Sequence, residues 1–406
     1  MRGLFERVIS ALRRRSPERA EARSAAGAGR GPVDHVVLLD GTLGSLRADR
    51  LTSIGLIYRF LRRAAPKVSV YYGRGLRWRD WHDMSDVWFG WGVNQQISRA
   101  YGWLAMRYRP GDRIFLIGYS RGGFAARSLA GMIGRIGLLR PEHAIERNTR
   151  LAWRHYEEET PADVLQSFRN SLCHENVDIE MVGAFDTVQA LGIRVPFFWI
   201  VNEERVRFHD HHLSDHVRHG FQALALDERR SVLEPLVWES DEGASDADSS
   251  ATRIEQRWFR GAHGDIGGML GHFADARPLA NIPLVWMLER AESLGLSLPP
   301  GWQAEFPRDP NAPSVGTWTG WGKLFWLRAP RVVGRDPSEG LHESVVLPEG
   351  SRAIFRPRIL RPEIRRLARR SEPVSEVRRH DETGGGAGRV EASILGAPDL
   401  TPRDAG

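Results

Sequence analysis

Only one cysteine, Cys173, occurs in the chain, so no disulfide can form within it. That excludes a bridge-stapled secreted scaffold and fits a reducing compartment. No redox or metal motif surrounds Cys173, which reads as a small buried apolar residue. No stretch reaches the roughly 18 uninterrupted apolar residues of a membrane span, and the first residues lack the apolar core of a Sec signal peptide. The expected location is the cytoplasm, with peripheral membrane contact as its one extension. Neither a G-x-x-x-x-G-K-[ST] loop nor a dinucleotide fingerprint is present, which leaves nucleotide chemistry without support.

Lysine is also scarce. The basic residues behind the net charge of +6 are almost all arginine, and much of the excess sits at the two ends of the chain. Basic ends attract nucleic acid or anionic lipid. Here they read more simply as solvated tails, because Arg, Glu, Gly and Pro dominate around them and apolar residues are few; no nucleic-acid partner is expected.

What is there divides into three parts. Residues 1–31 form a basic arm, partly helical or disordered: Leu4, Phe5, Val8, Ile9 and Leu12 share one helical face, and Ser24 to Gly31 reads as an Ala/Gly linker. Such a helix can lie on a membrane surface or pack on the protein itself. Residues 32–361 hold most of the apolar content, in a chain whose length permits one to three domains, and residues 362–406 read as an Arg/Gly-rich tail without enough apolar content to fold.

Within the central part, short apolar runs alternate with helical periodicity. Val36–Leu39, Val68–Tyr72, Ile114–Ile117, Ile179–Phe185 and Ile254–Phe259 read as buried strands; helices are expected between them, over much of 142–172 with a break at Pro161, over 214–229, and around Pro283–Leu294. Strand alternating with helix predicts an α/β fold with a doubly wound, mostly parallel sheet.

The Ile114 strand runs into Gly118-Tyr119-Ser120-Arg121-Gly122, a G-x-S-x-G elbow. The chemistry requires that spacing. A serine on a sharp strand-to-helix turn exposes its hydroxyl, while Gly118 and Gly122 remove side chains that would collide there. The backbone N–H of Arg121, at the helix N-terminus, then faces a developing oxyanion; a second donor is expected from Gly41 or Thr42, in the loop after the first strand. A bare alternative exists, a tight turn in which Gly41 serves only the backbone and Asp40 caps amides.

A serine needs a base, and the base needs an orienting acid. Asp186 and His263 each follow an expected strand, in the order Ser, Asp, His that α/β-hydrolases use. Asp265 and Asp227 are rival acids, although Asp265 lies two residues from His263 and Asp227 ends an expected helix. His209, His211, His212, His216 and His219 cluster, with His212 and His216 spaced for one helix face, yet no third ligand is evident and no metal or cofactor is expected. Trp78, Trp81, Trp88 and Trp91 fall within fourteen residues, and Phe197, Phe198 and Trp199 lie in a second apolar, Pro-interrupted stretch. Trp88, Trp91, Phe197, Phe198 and Trp199 are the candidates for a lid or lipid-facing rim, or for a cluster packed under a long loop.

Six ordered blocks carry a resemblance: Leu39–Thr42, Ile117–Arg127, Gly183–Val188, Ala223–Arg229, Trp258–Gly268 and Leu341–Val345. Together they resemble the type VI secretion phospholipase effector-like α/β-hydrolase domain, over roughly residues 32–361, which implies one elaborated α/β-hydrolase-like domain there rather than two. The resemblance implies a serine esterase or lipase, with phospholipase A activity in its antibacterial branch. By position it implies Ser120 as nucleophile, Asp186 as acid and His263 as base. Family members often carry Asp-Gly-Thr-Trp-Asn where this chain has Leu43 and Gly44 after Thr42. The expected function is therefore cleavage of a carboxylic ester, of a lipid first, with small soluble esters or thioesters, or a non-catalytic interaction module, as the other readings.

Overall fold

The computed structural model describes residues 20–21, 30–65, 67–75, 91–158, 160–188, 212–240, 253–317, 327–345 and 354–355. In chain order the elements begin with β1 (Ala20–Glu21), β2 (Asp34–Leu39), α1 (Ser53–Ala64), β3 (Val68–Gly73) and α2 (Trp91–Ala105). Next come β4 (Arg113–Tyr119), α3 (Arg121–Ile136), α4 (Glu146–Glu157), α5 (Ala162–Leu172), β5 (Ile179–Phe185) and β6 (Val217–Ala225). The remainder holds β7 (Ile254–Phe259), α6 (His263–Gly267), α7 (Arg277–Ser293), β8 (Val332–Val333), β9 (Glu339–Leu341) and β10 (Ile354–Phe355).

Seven strands pair in parallel in the order β3-β2-β4-β5-β6-β7-β9. The two-residue β1 adds an antiparallel edge beside β3, and β8 pairs with β10 separately. Buried parallel strands need apolar residues on both faces, and the central strands supply them. Ile114 and Leu116 of β4 join Val37 and Leu39 of β2 in one core, with α2 and α3 over it. Phe115 and Ile117 join Val36 and Leu38 in the other, against α1 and α7. Period-two alternation thus divides each strand between two layers of helices.

One sequence expectation is overturned. Residues 214–229 do not form a helix: Val217–Ala225 is β6, paired with β5 on one side and β7 on the other. The Ala223-Leu-Ala-Leu226 run favours helix by intrinsic propensity, but six consecutive buried residues suit a strand covered on both faces, and position in the sheet decides. Asp227 therefore follows a strand. A smaller difference concerns the end of the Ala/Gly stretch, where Arg30 is held by the Asp112 carboxylate at 2.7 and 3.2 Å. Asp112 also accepts from the Val33 and Arg109 amides and lies 2.9 Å from His35 Nε2. That cluster pins the N-terminal edge of the sheet, opposite the edge where the strands end.

Because the seven strands are parallel, their C-terminal ends share one edge. The register brings Leu39 beside Gly118, Tyr119 beside Phe185, Phe185 beside Ala223 and Ala225 beside Phe259. The residues that follow, Asp40, Ser120, Asp186, Asp227, Glu228 and His263, are therefore neighbours, although more than 200 residues separate the first from the last. Catalytic groups of open α/β sheets gather at this edge.

Candidate active site

Ser120 joins β4 to α3 with φ 55° and ψ −121°, a backbone conformation that costs a non-glycine residue on the order of 1–3 kcal/mol. Its surroundings hold it there. The Ser120 N–H donates to the Phe185 carbonyl at 2.9 Å, and the Ser120 carbonyl accepts from the Gly123 and Phe124 amides. The two elbow glycines are required by packing. A Cβ on Gly118 would stand 2.1 Å from the Gly122 carbonyl oxygen, and one on Gly122 would stand 2.1 Å from that of Leu39.

His263 opens α6 and reaches both partners. Its Nε2 lies 2.9 Å from Ser120 Oγ and its Nδ1 lies 2.7 Å from Asp186 Oδ2. The ring packs on Tyr119, centroids 4.9 Å apart, and the Tyr119 hydroxyl donates to the His263 carbonyl. The His263 N–H donates to Glu228 Oε2 at 3.1 Å. Both Ser120 and His263 are buried, at 7% and 8% exposure, so their mutual bond is shielded from bulk water.

Asp186 is fully buried, with φ 39°, at the end of β5. Its Oδ1 accepts the Ala225 N–H at 3.0 Å; Oδ2 is shared between His263 and Arg331 Nη2, the latter at 3.1 Å. Burial alone would raise this carboxyl, but the Arg331 charge and the bond and charge of His263 outweigh it and hold it below the usual range. It stays ionised at neutral pH. Glu228 behaves alike: burial raises it, while two bonds and the charge of Arg230 bring it down to about 2.

The rival acids are engaged elsewhere. Asp265 accepts the Ala262 and Val315 amides and the Ser314 hydroxyl, tying its turn to residues 314–315. Asp227 accepts the Gly261 N–H at 2.7 Å. Both fasten the loop that presents His263, and neither carboxylate bonds its ring.

In the loop after β2 the Gly41 N–H donates to Asp40 Oδ1 at 2.8 Å, in keeping with the alternative in which Asp40 caps amides; Thr42 is the other donor expected from this loop. Arg121 is the first residue of α3, and its N–H belongs to the helix's N-terminal end. Asp40 is the hub of the loop. It also accepts from the Thr52 hydroxyl at 2.9 Å and the Tyr72 hydroxyl at 2.6 Å, and burial, only partly offset by these bonds, pushes its carboxyl up to about 6. Gln96 of α2 donates to the carbonyls of Asp40, Gly73 and Arg74, joining the ends of β2 and β3.

Trp88, Phe197, Phe198 and Trp199 lie outside the described residues, as does the Trp91 side chain, although Trp91 begins α2. His209 and His211 are outside as well. His216 Nε2 lies 2.8 Å from the Ala130 carbonyl in the turn before β6, and His219 sits within that strand, so the expected helix face does not exist. Among the described residues no three His, Cys, Asp or Glu side chains converge as metal ligands, and no helix is long and apolar enough to cross a membrane. Sequence reasoning missed Glu228 and Tyr119 as neighbours of His263, and Arg331 as a partner of Asp186. Glu228 lies in the Ala223–Arg229 block, whereas Arg331, 145 residues from Asp186, carries no local signal.

Residues 34–290 match the family model for the T6SS phospholipase effector Tle1-like catalytic domain. An uncharacterized protein of Saccharomyces cerevisiae is 32% identical over 168 residues, 38% of this chain and 23% of that protein. The chain is also similar to the solved Tle1 effector bound to the VgrG spike of the type 6 secretion system, at 15% identity and TM-score 0.34, over 62% of this chain and 57% of that one. An uncharacterized protein from Pseudomonas aeruginosa gives 14% identity and TM-score 0.36, over 68% and 49%. An acetyl ester-xyloside bifunctional hydrolase from Caldicellulosiruptor lactoaceticus gives 13% and 0.33, over 67% and 88%. The chain thus spans under a quarter of the yeast relative and little more than half of the solved effector.

Proposed function

Since the chain belongs to the T6SS phospholipase effector Tle1-like catalytic-domain family, a family of hydrolases, we propose that it is a serine hydrolase that cleaves carboxylic esters of lipids, phospholipids foremost. One observation carries the chemistry: His263 stands between Ser120 Oγ at 2.9 Å and Asp186 Oδ2 at 2.7 Å. That is the distance and order a general base needs to take a hydroxyl proton while a carboxylate fixes its tautomer.

In this reading Ser120 Oγ attacks the acyl carbonyl and its proton passes to His263 Nε2. The carbonyl oxygen becomes an oxyanion, met by the N–H groups of Arg121 and Thr42. Collapse expels the alcohol, which leaves with the proton from Nε2. A water then repeats the sequence on the acyl-serine, releasing the fatty acid and restoring the hydroxyl. Asp186 accepts the Nδ1–H throughout and stabilises the imidazolium without itself becoming protonated. The unusual backbone at Ser120 points its hydroxyl toward His263 at the mouth of α3.

The lipid part of the proposal comes from the family. Peripheral membrane contact through the N-terminal arm or the Trp78–Trp91 segment belongs to it, because large indole surfaces with one polar handle suit an interface. Release of fatty acid from phospholipid vesicles tests it. Wild type is expected to turn over vesicles faster than soluble short-chain esters, and Trp88→Ser with Trp91→Ser to lose the vesicle rate selectively. Equal loss on both substrates would remove the interfacial role, and hydrolysis of soluble esters alone would replace the lipase by a small-substrate esterase.

A further inference from the structure

We infer that Arg331 is a positioning residue that acts on His263 through Asp186, by holding part of that carboxylate's charge. The inference rests on the proposed roles of Ser120, His263 and Asp186 and asks what tunes them. Asp186 Oδ2 is divided between His263 Nδ1 and Arg331 Nη2, at 2.7 and 3.1 Å. Arg331 is itself buried, at 5% exposure, and the same Nη2 donates to the Leu233 carbonyl at 2.7 Å. Its Nη1 has no hydrogen-bond partner among the described residues. Asp186 is the one carboxylate within ion-pair distance of Arg331 among the described residues. A buried guanidinium with so few bonds of its own is an expensive way to fasten a loop, and it sits directly on the acid.

A bare carboxylate beside an imidazole favours the imidazolium and raises the pH at which the base becomes competent. A cation on that carboxylate opposes this. The second acid near the ring is treated in the same way: Glu228, which accepts the His263 N–H, is paired with Arg230 at 2.6 Å. Each carboxylate flanking His263 therefore carries its own guanidinium. The other titratable groups around the site are Tyr119 of β4 against the ring, Asp40 beyond it, and Asp265 and Asp227 in the turns, engaged as described. None of these supplies a cation to Asp186. Arg331 also lies outside residues 34–290, the part that matches the family model.

The test pairs a kinetic and a spectroscopic reading of Arg331→Gln, which keeps donors but no charge, and Arg331→Lys, which keeps the charge. The acid limb of kcat/KM is measured with p-nitrophenyl butyrate. In each variant carrying Ser120→Ala as well, the His263 imidazole is titrated by NMR. Arg331→Gln should move both readings upward by on the order of one pH unit, and Arg331→Lys should return them to the wild-type range. A His263 titration unmoved in folded Arg331→Gln, or one raised as far in Arg331→Lys, overturns the inference. If Arg331→Gln fails to fold, the Lys variant decides alone, a raised titration counting against. Absence of esterase activity in wild type would sink the hydrolase reading, while the NMR titration would still report on Arg331.

Discussion

Replacing Glu228 by glutamine removes one charge and almost no volume, and its cost can be worked out. The Glu228 side chain is fully buried, accepts the His263, Arg229 and Arg230 amides, and forks onto the Arg230 guanidinium. Its carboxyl is brought down from 4.5 to about 2, by Arg230 against the opposing effect of burial. A folded-state value below the unfolded one means stability that is present above pH 4.5 and lost as pH falls through 2. At about 1.4 kcal/mol per unit, the carboxylate contributes on the order of 3 kcal/mol at neutral pH. Glu228→Gln should therefore lower the urea unfolding free energy at pH 7 by about 2–3 kcal/mol. The gap to wild type should narrow as the pH is taken from 4.5 towards 2. Because the His263 amide also loses a charged acceptor, esterase activity should fall by roughly tenfold, a loss of about 1.4 kcal/mol in transition-state stabilisation. A gap under half a kilocalorie at pH 7, or one that does not change with acid, would refute this reasoning.

Asp40 should behave with the opposite sign. Its folded value of about 6 lies above the ordinary 3.8, so stability is fully present below pH 3.8 and is lost as pH rises through 6. Unfolding measured from pH 3.5 to 7.5 should show wild type losing on the order of 3 kcal/mol relative to Asp40→Asn, and parallel curves would contradict it. Gly122→Ala places a Cβ 2.1 Å from the Leu39 carbonyl and must shift β2 or α3; the thermal midpoint should drop, with a destabilisation of about 1–3 kcal/mol, and an unchanged midpoint would show that the elbow has room.

Much of this was legible because parallel sheets write themselves into sequence. Continuous apolar runs such as Ile114–Ile117 mark strands buried on both faces, and the order of the strand ends anticipates that Ser120, Asp186 and His263 come within hydrogen-bond reach of one another. The same logic failed at β6, whose Ala223–Leu226 run has the composition of a helix and becomes a strand only because β5 and β7 flank it. At Gly41 the sequence left two readings open, since a free amide and one held by a neighbouring carboxylate look alike there. Arg331 was invisible for a third reason: it is one of many arginines, and only the tertiary fold brings it to Asp186.

The central claim is that Ser120 is a nucleophile activated by His263. Labelling with a fluorophosphonate probe tests it directly, on wild type beside Ser120→Ala, His263→Ala and Asp186→Asn, each checked by circular dichroism. The account predicts labelling of wild type, none of Ser120→Ala, and rates reduced by on the order of a hundredfold or more in the other two. Folded wild-type protein that takes up no probe, or Ser120→Ala that is labelled as fast as wild type, would contradict it.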